Sequence, residues 1–469
     1  MKTAKAFAAV FSALILVALL GGCGFRMQSF DSLIRPPKLS GKYQDLQDDF
    51  ERTVDGNFDL LSPENGDYRS AFITFDYDSD SNEEALVFYR MSEHAVNDDE
   101  NTVKLSFFNY TDNEWKQVSK FDGLGNSVDC VIFRDLNNDD KDEIIIGWKL
   151  FGSKSAMTFS VYYFGEKNVA SSETFPYSSL NVFDVNGDGI DDIFTMTLDS
   201  SQPANPAAYA RVYSYSRDSG DIILLGEARA DGNISAYASV TPEKTDEANL
   251  IFVEAYKGEQ QLITELYYWD DNERTLMAPL FDINSQSTKV SLRSNRAVSF
   301  DIDDDKRLEI PTSVEMRGAS VKLTSQTAAG SAVTGDTSSL SMYYTKWVKF
   351  EGGQLKAVQY SIVNDRLGYI LKIKSSWVGR LTVRGTDGIW SYYRWNDSTM
   401  QAGELLFTLA SYKKGDSDSS QKYKDYETLT TSGETVFSGN ITQAGRDFGV
   451  SEKLLTESLI ITDFGGKNE

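Results

Sequence analysis

Short apolar runs separated by polar turns recur between about residue 70 and residue 355 of the 469-residue chain. Two of them, "SLNVF" and "IFTMTL", flank an acidic segment and contain mostly β-branched and aromatic residues. Neither has the 3.6-residue spacing of an amphipathic helix, and their composition is typical of strands. The pattern therefore predicts a mainly β structure for this part of the chain.

The acidic segment "DVNGDGIDD" has oxygen-bearing side chains at its first, third, fifth and ninth positions, which are Asp184, Asn186, Asp188 and Asp192. An EF-hand would require a bidentate Glu at the twelfth position, where this chain has Thr195, and helices on both sides. The segment is therefore predicted to be a short loop between two strands. Two interpretations remain open, a site for a hard cation and an Asp/Asn/Gly turn without an ion.

The same spacing of oxygen-bearing side chains occurs in three other segments, each placed between two apolar runs. Their residues are Asp76, Asp78, Asp80 and Glu84; Asp135, Asn137, Asp139 and Glu143; and Asp301, Asp303, Asp305 and Glu309. The sixth position is Gly189 in the Asp184 segment, and it is Ser81, Asp140 and Lys306 in the others. A further copy, the fourth of five in chain order, has Thr241, Glu243, Thr245 and Asn249 at the ligand positions. This copy has lost most of its carboxylates, so it is predicted to be a repeat without an ion.

An aromatic-rich hairpin follows each acidic segment, as in "LSFFNYTDNEWKQVSKF". Each unit thus contains a strand, an acidic loop, a second strand and a hairpin, which makes four strands in roughly 50–60 residues. Four-stranded units at such a period are typical of propeller blades. We therefore expect a β-propeller of about five four-stranded blades, followed by a small α+β domain.

The acidic loops resemble the FG-GAP or VCBS-type repeat of integrin α-subunit heads and of many bacterial secreted proteins. The resemblance covers roughly residues 70–355. It implies a β-propeller in which structural Ca²⁺ binds between the first two strands of a blade. Carried over position by position, it implies that the sixteen residues of the four acidic segments are the Ca²⁺ ligands.

The N-terminal residues are typical of a targeting segment, with a short basic region followed by the apolar run "AFAAVFSALILVALL". This run leads into "LLGGC", which resembles the lipobox of bacterial lipoproteins and implies that Cys23 is the acylated N-terminus. The alternatives are an ordinary signal peptide and an N-terminal anchor with an incidental cysteine. The lipoprotein interpretation predicts a protein attached by lipid to the extracytoplasmic face of the cell membrane.

The sequence divides into four predicted parts. They are a signal peptide (1–22), a tether with a lead-in helix from about Tyr43 to Val54 (23–69), the propeller (70–357) and the α+β domain (358–469). In the last part, "TQAGRDFGVSEKLLTESL" predicts one helix, and "GDSDSSQKYKDY" predicts a polar loop. Cys130, the other cysteine, is expected to be a buried free thiol.

The formal net charge of −24 argues against nucleic acid as a partner. Signals for catalysis are weak, because His94 is the sole histidine and is expected to lie in a solvated loop. The chain has no G-x-S-x-G, H-E-x-x-H or Gly-Lys phosphate motif. Aromatic residues at matching hairpin positions are expected to pack between blades, whereas Trp377, Trp390 and Trp395 are weaker candidates for a binding surface.

Two classes of function remain open from the sequence. The favoured one is a non-catalytic binding or scaffold module for a protein or glycan ligand. The alternative is a surface enzyme acting on polysaccharide, a glycoside hydrolase or lyase that uses the propeller as a platform. Paired carboxylates are the residues such an enzyme needs, and acidic residues are abundant here. The oligomeric state is left open.

Overall fold

The computed structural model describes residues 41–92, 102–150, 157–165, 167–199, 206–322, 339–340, 342–386 and 388–464. Most of the described residues form antiparallel strands that belong to six sheets. Five sheets of four or five strands follow one another along the chain, and a seven-stranded sheet comes after them. The expectation of a mainly β protein with four-stranded units is thus confirmed at the level of its sheets.

Helix α1, Gly41–Thr53, precedes the first sheet and lies where the sequence predicts a lead-in helix. The first sheet contains β1 (Phe58–Leu60), β2 (Phe72–Phe75), β3 (Glu84–Met91), β4 (Lys104–Thr111) and β5 (Glu114–Asp122). The second contains β6 (Ser127–Arg134), β7 (Glu143–Lys149), β8 (Met157–Phe164), β9 (Val169–Ser171) and β10 (Phe175–Tyr177). Both β1 and β2 pair with β3, so part of the predicted tether belongs to the first sheet.

The third and fourth sheets each contain four consecutive strands in chain order. The third comprises β11 (Ser179–Phe183), β12 (Asp192–Asp199), β13 (Ala207–Ser216) and β14 (Asp221–Ala230). The fourth comprises β15 (Ala236–Lys244), β16 (Asn249–Lys257), β17 (Gln261–Asp270) and β18 (Thr275–Met277). These two sheets match the predicted unit of a strand, a turn, a second strand and a hairpin.

The chain passes between the fifth and sixth sheets more than once. The fifth has the order β19 (Ile310–Glu315), β22 (Tyr343–Glu351), β23 (Gln354–Asn364), β24 (Tyr369–Ile373) and β30 (Leu459–Ile461). The sixth contains β20 (Ser320–Lys322), β21 (Ser339–Leu340), β25 (Leu381–Thr386), β26 (Ile389–Asn396), β27 (Gln401–Lys413), β28 (Glu427–Ser432) and β29 (Thr435–Ile441). The predicted boundary between residues 357 and 358 falls within β23.

Strands β3, β7, β12 and β16 are nearly continuous apolar runs because both of their faces are buried. Along β7, Ile144 and Ile146 pack against the first sheet, whereas Ile145 between them packs against the third. Since neighbouring side chains of a strand point to opposite faces, such a strand requires apolar residues at consecutive positions. Full burial of each such side chain contributes roughly 1.5–3 kcal/mol.

The sheets therefore stack in chain order, and the two ends of the stack are covered. Leu46 and Phe50 of α1 pack on the face of the first sheet that carries Val87 and Tyr89. At the other end, the fifth and sixth sheets share one core, within which the hydroxyls of Tyr369 and Tyr392 are 2.9 Å apart. No cluster of buried apolar side chains among the described residues joins the first sheet to the fifth.

The short helices near the C-terminus differ from the sequence expectation. The segment predicted as one helix forms two, α3 (Gln443–Phe448) and α4 (Glu452–Ser458), because Gly449 adopts a left-handed conformation with φ of 94° and ends the first. Helix α2 (Ser417–Lys422) lies within the segment predicted as a loop. The Asp416 side chain begins it by accepting hydrogen bonds from the backbone amides of Asp418 and Ser419.

Candidate metal centres

The four acidic segments lie at corresponding places in their sheets. Asp76, Asp135 and Asp184 directly follow β2, β6 and β11, and Glu84, Glu143 and Asp192 begin β3, β7 and β12. In the fifth sheet, a bridge between Phe300 and Glu309 encloses the loop in the same way. The prediction that each segment is a short loop between extended segments is therefore confirmed.

The first aspartate of each loop organises the backbone that follows it. Its two carboxylate oxygens accept hydrogen bonds from amides of the same loop, and the amide of the sixth residue is bonded in all four loops. These sixth-position bonds are Ser81 N to Asp76 (3.0 Å), Asp140 N to Asp135 (2.9 Å), Gly189 N to Asp184 (3.1 Å) and Lys306 N to Asp301 (2.8 Å). Each loop is thus folded by its own carboxylate.

Glycine at the sixth position is not required for this conformation. Ser81, Asp140 and Lys306 have φ values of 72°, 61° and 69°, in the same left-handed region as Gly189 at 88°. The fourth position is also left-handed in every loop. A residue other than glycine in this region costs roughly 1–2 kcal/mol, which the hydrogen bonds to the first aspartate help to offset. The substitutions noted in the sequence therefore leave the loop geometry unchanged.

The ninth-position carboxylate ties each loop to the strand that follows it. In every loop it accepts a hydrogen bond from the amide of the second residue, whose apolar side chain is buried beneath the loop. The bonds are Tyr77 N to Glu84 (3.3 Å), Leu136 N to Glu143 (2.8 Å), Val185 N to Asp192 (3.1 Å) and Ile302 N to Glu309 (3.0 Å). Each loop is thereby anchored to the core at two points.

Burial raises the pKa of the ninth-position carboxylates. Because each is removed from water, the pKa of Glu84 and that of Glu143 rise to about 7, and that of Asp192 rises to about 6. Neighbouring loop carboxylates add to the effect by charge repulsion. A cation held by the same oxygens would offset both costs.

The side chains converge most closely at two of the loops. Carboxylate oxygens of Asp76, Asp78 and Asp80 lie within 4.8 Å of one another, and the same holds for Asp301, Asp303 and Glu309. Such grouping of several oxygens is what a hard divalent cation requires.

In the other two loops an asparagine amide bonds to a carboxylate of the same loop. Asn137 Nδ2 donates to Glu143 Oε1 at 2.7 Å, and Asn186 Nδ2 donates to Asp188 Oδ2 at 3.2 Å. In both loops the amide nitrogen of the asparagine, and not the oxygen that is predicted to bind an ion, faces the carboxylate.

The loop that begins at Asp301, which belongs to the fifth repeat and is called the fifth loop, contains a cationic side chain from another strand. Lys349 Nζ, on β22, lies 3.1 Å from Glu309 Oε1 and 3.9 Å from Asp303 Oδ2, and it also pairs with Asp305. Its side chain is 12% exposed. The spacing rules applied to the sequence identify residues within one loop, so they could not find this partner.

The fourth repeat forms no acidic loop. Here β15 continues through Thr241 and Glu243, and it pairs with β16 as far as Lys244 opposite Asn249. The nine-residue loop is replaced by a tight hairpin. Glu243 instead accepts hydrogen bonds from the Arg307 guanidinium (3.2 Å) and the Leu308 amide (2.5 Å) of the fifth loop. The four ligand positions are therefore not brought together.

Neighbouring loops contact one another in chain order. The Asp142 amide of the second loop donates a hydrogen bond to the Tyr77 carbonyl of the first (2.9 Å), and an ion pair between Arg134 and Asp191 joins the second to the third (3.3 Å). The Asn249 side-chain amide of the fourth-repeat hairpin donates to the Asp184 carbonyl of the third loop (3.0 Å). An ion pair between Arg307 and Glu243 joins the fifth loop to that hairpin (3.2 Å). The loops consequently form one continuous edge of the stack, which we call the loop edge.

Two buried polar clusters lie outside the acidic loops, and the sequence reasoning missed both. In one, Asp231 accepts hydrogen bonds from Lys257 (2.6 Å), Ser287 (2.6 Å) and the Thr288 amide (3.0 Å). In the other, Arg293 and Glu254 form an ion pair with both side chains almost fully buried. The signal available in the sequence was a single charged residue inside an apolar run, as in "LIFVEAY". Their hydrogen bonds give both clusters a structural role.

The remaining residues singled out in the sequence lie either in the core or outside the described part of the chain. Cys130 is a buried free thiol within the described part of the chain, as predicted. Trp377, Trp390 and Trp395 are at most 9% exposed, so they belong to the core and not to a binding surface. Residues 1–40, with the predicted signal peptide and Cys23, and residue His94 lie outside the described residues.

Within the described residues, no helix is both long enough and apolar enough to cross a membrane.

A surface cavity of about 360 Å³ lies beside α3, α4 and the last two strands of the sixth sheet. Its polar wall includes Glu427, Asn440, Arg446 and Glu452. None of the predicted metal ligands lines this cavity.

No protein-family model and no curated protein sequence matches this chain. A hypothetical selenium-binding protein from Sulfolobus tokodaii is 10% identical over 45% of this chain and 54% of its own, with a TM-score of 0.28. A GH32 β-fructofuranosidase from Bombyx mori is 9% identical over 79% and 76% of the two chains, with a TM-score of 0.25. A GH43 β-1,3-galactosidase is 9% identical over 64% and 96%, with a TM-score of 0.22. At TM-scores this low, the likenesses carry no argument about activity.

Proposed function

We propose that this protein is a membrane-anchored extracytoplasmic binding or scaffold protein whose repeats are stabilised by structural Ca²⁺. The observation that carries the proposal is the shared geometry of the four acidic loops. Each has oxygen-bearing side chains at the same four positions, a first aspartate that folds the loop and a buried ninth carboxylate that joins it to a strand. Four copies of one geometry along one edge favour a common need for positive charge at these loops over four unrelated turns.

Calcium is the ion that suits these ligands best. It takes six to eight oxygen ligands in adaptable geometry, and carboxylate and amide oxygens are the groups available here. The ion would offset the mutual repulsion of the loop carboxylates and the cost of ionising a buried ninth residue such as Glu143. Its role would be to stabilise the loop edge, with no bond made or broken at the metal.

We interpret the successive sheets as blades of a propeller-type array with FG-GAP-like repeats. Supporting this, each of the first four sheets packs through one face on the next, and the acidic loops connect the first two extended segments of a sheet. Helix α1 and the sixth sheet would then act as caps on the two ends.

Binding is favoured over catalysis because the carboxylates that the structure brings together already have structural partners. Asp231 and Glu254 are held by hydrogen bonds or ion pairs within the fold, and the loop carboxylates hold their own backbone. We propose the loop edge as the surface that Ca²⁺ makes rigid enough to present to a protein or glycan. Lipid attachment at Cys23 would hold this surface outside the cell membrane.

The test is to measure ligand binding by the mature protein with and without Ca²⁺. A glycan array and a hydrolase screen run in parallel separate the two function classes. Binding that is lost in a chelator and restored by Ca²⁺, with no turnover of polysaccharide, is the expected result. Turnover that survives the removal of Ca²⁺ would contradict the proposal and support an enzyme.

A further inference from the structure

In each sheet with an acidic loop, the strand after the loop pairs with another strand that places one residue opposite the ninth-position carboxylate. In the first sheet, Asn109 is directly opposite Glu84. Continuing the register of the paired strands by one residue puts Tyr163 opposite Glu143 and Ser214 opposite Asp192 in the next two sheets. In the fifth sheet the same step, from the pair Ile310 and Val348, puts Lys349 opposite Glu309.

Lys349 is therefore the cationic member of this set, and the structure places its ammonium within the loop. It lies 3.1 Å from Glu309 and 3.9 Å from Asp303, and it pairs with Asp305 as well. Three of the four ligand positions of this loop thus face one ammonium group. Glu309 is fully buried, so its partner experiences little screening by water.

An ammonium group can replace part of what a metal ion does. It is a compact positive charge with three donors, which matches three surrounding carboxylates. Its four-carbon stem runs from a strand that is already packed in the core, since Val348 and Trp347 beside it are buried. The charge is consequently delivered without the need to bind an ion from solution.

We propose that Lys349 is the built-in cation of the Asp301 loop, holding it folded without metal and excluding Ca²⁺ from it. This inference rests on the proposed Ca²⁺ function for its second half, the exclusion of the ion. Its first half, support of the loop by the ammonium, is independent of whether the other three loops bind Ca²⁺.

The experiment compares the parent protein with Lys349→Met, which keeps the length of the stem and removes the charge. Lys346→Met, on the same strand, is the matched control, and Lys349→Arg keeps the charge if the Met variant folds poorly. Melting in a chelator tests support of the loop. We expect Lys349→Met to melt about 2–4 °C below the parent, and we expect Lys346→Met to melt close to it.

Counting bound Ca²⁺ by native mass spectrometry tests the exclusion. We expect Asp301→Asn to leave the number of ions in the parent unchanged, and Lys349→Met to gain one ion. Loss of an ion in Asp301→Asn would overturn the inference, as would a Lys349→Met variant that melts like the parent in chelator. A parent and a Lys349→Met variant that bind no Ca²⁺, with the melting difference intact, would refute the calcium proposal and leave the role of Lys349 in the loop standing.

Discussion

The Asn249 side-chain amide donates a hydrogen bond of 3.0 Å to the backbone carbonyl of Asp184. This bond joins the repeat that has lost its acidic loop to the loop with the strongest sequence motif. Asn249 is the ninth-position residue of its own repeat, where the other repeats have a carboxylate. Its position is thus used to support the neighbouring loop and not to close a loop of its own.

Removing this amide should weaken the third loop. We expect Asn249→Ala to lower the free energy of unfolding by about 0.5–1.5 kcal/mol, because the Asp184 carbonyl loses its donor. Calorimetry should also show weaker Ca²⁺ binding at this loop. Asn272→Ala, in the exposed turn after β17, is the control and should change neither quantity. Equal effects of the two substitutions would show that the bond is dispensable.

The Asp184 side chain both folds its loop and is a predicted metal ligand, and two substitutions separate these roles. Asp184→Ala removes the acceptors of the Gly187 and Gly189 amides, so it should lower the melting temperature even in a chelator. Asp184→Asn keeps one acceptor oxygen and should lose mainly the dependence on Ca²⁺. At Ca²⁺ a hundred times the dissociation constant, that dependence is worth about 2.7 kcal/mol.

The control for both variants is Thr241→Ala, because Thr241 is exposed on β15 in a repeat without an acidic loop. Its melting temperature should respond to Ca²⁺ as the parent does. A parent melting curve that chelation leaves in place, with no heat of Ca²⁺ binding, would mean that the Asp184 loop is only an acidic turn.

Glu265 should make the folded protein less stable as pH rises. Burial raises its pKa from 4.5 to about 7, so the folded state favours the protonated form. The stabilising effect is complete below pH 4.5 and is lost as pH rises through 7, with a total of about 3 kcal/mol. Glu265→Gln should therefore match the parent at pH 4.5 and exceed it by roughly 1–3 kcal/mol at pH 8.

Denaturant titrations in a chelator measure this difference. The Gln side chain can keep its oxygen as the acceptor for the Asp231 amide, which Glu265 binds at 2.7 Å. Glu259→Gln, in an exposed turn of the same sheet, is the control and should leave the pH profile unchanged. Parallel profiles for the parent and Glu265→Gln would show that this carboxyl does not titrate in the range.

The Cys130 thiol should be inert while the protein is folded. Burial raises its pKa from 9.0 to about 12, which lowers the thiolate fraction about a thousandfold at pH 8. In a Cys23→Ser background, Cys130 is the sole cysteine. Reaction with a disulfide reagent should then follow unfolding and become rapid in denaturant. Stoichiometric labelling of the native protein within the mixing time would contradict the burial of this thiol.

Replacement of Cys23 with Ser tests the anchor. If Cys23 is acylated, the Ser variant should leave the membrane fraction or remain as the uncleaved precursor, because the lipid is its attachment. Cys130→Ser is the control and should fractionate like the parent. A Cys23→Ser variant that is processed and fractionates like the parent would show that the lipobox resemblance misleads.

The sequence by itself determined the position and the internal geometry of the acidic loops. Each loop spans nine residues, and its hydrogen bonds, such as those from the Asp184 carboxylate to Gly187 and Gly189, join groups close together in the chain. Local spacing is therefore enough to specify them. The apolar runs on either side likewise specify strands, because burial on both faces requires apolar residues at consecutive positions.

The tertiary structure decided what lies around the loops. Lys349 reaches Glu309 because two strands pair across the fifth sheet, and Asn249 reaches Asp184 because two sheets pack together. The segment predicted to be a separate domain supplies β24 and β30 to the fifth sheet, which also contains β19 and β22 of the predicted propeller. Such contacts join residues far apart in the chain, so their geometry depends on the packing of whole sheets. The spacing of residues within a loop therefore does not predict which distant side chain will contact it.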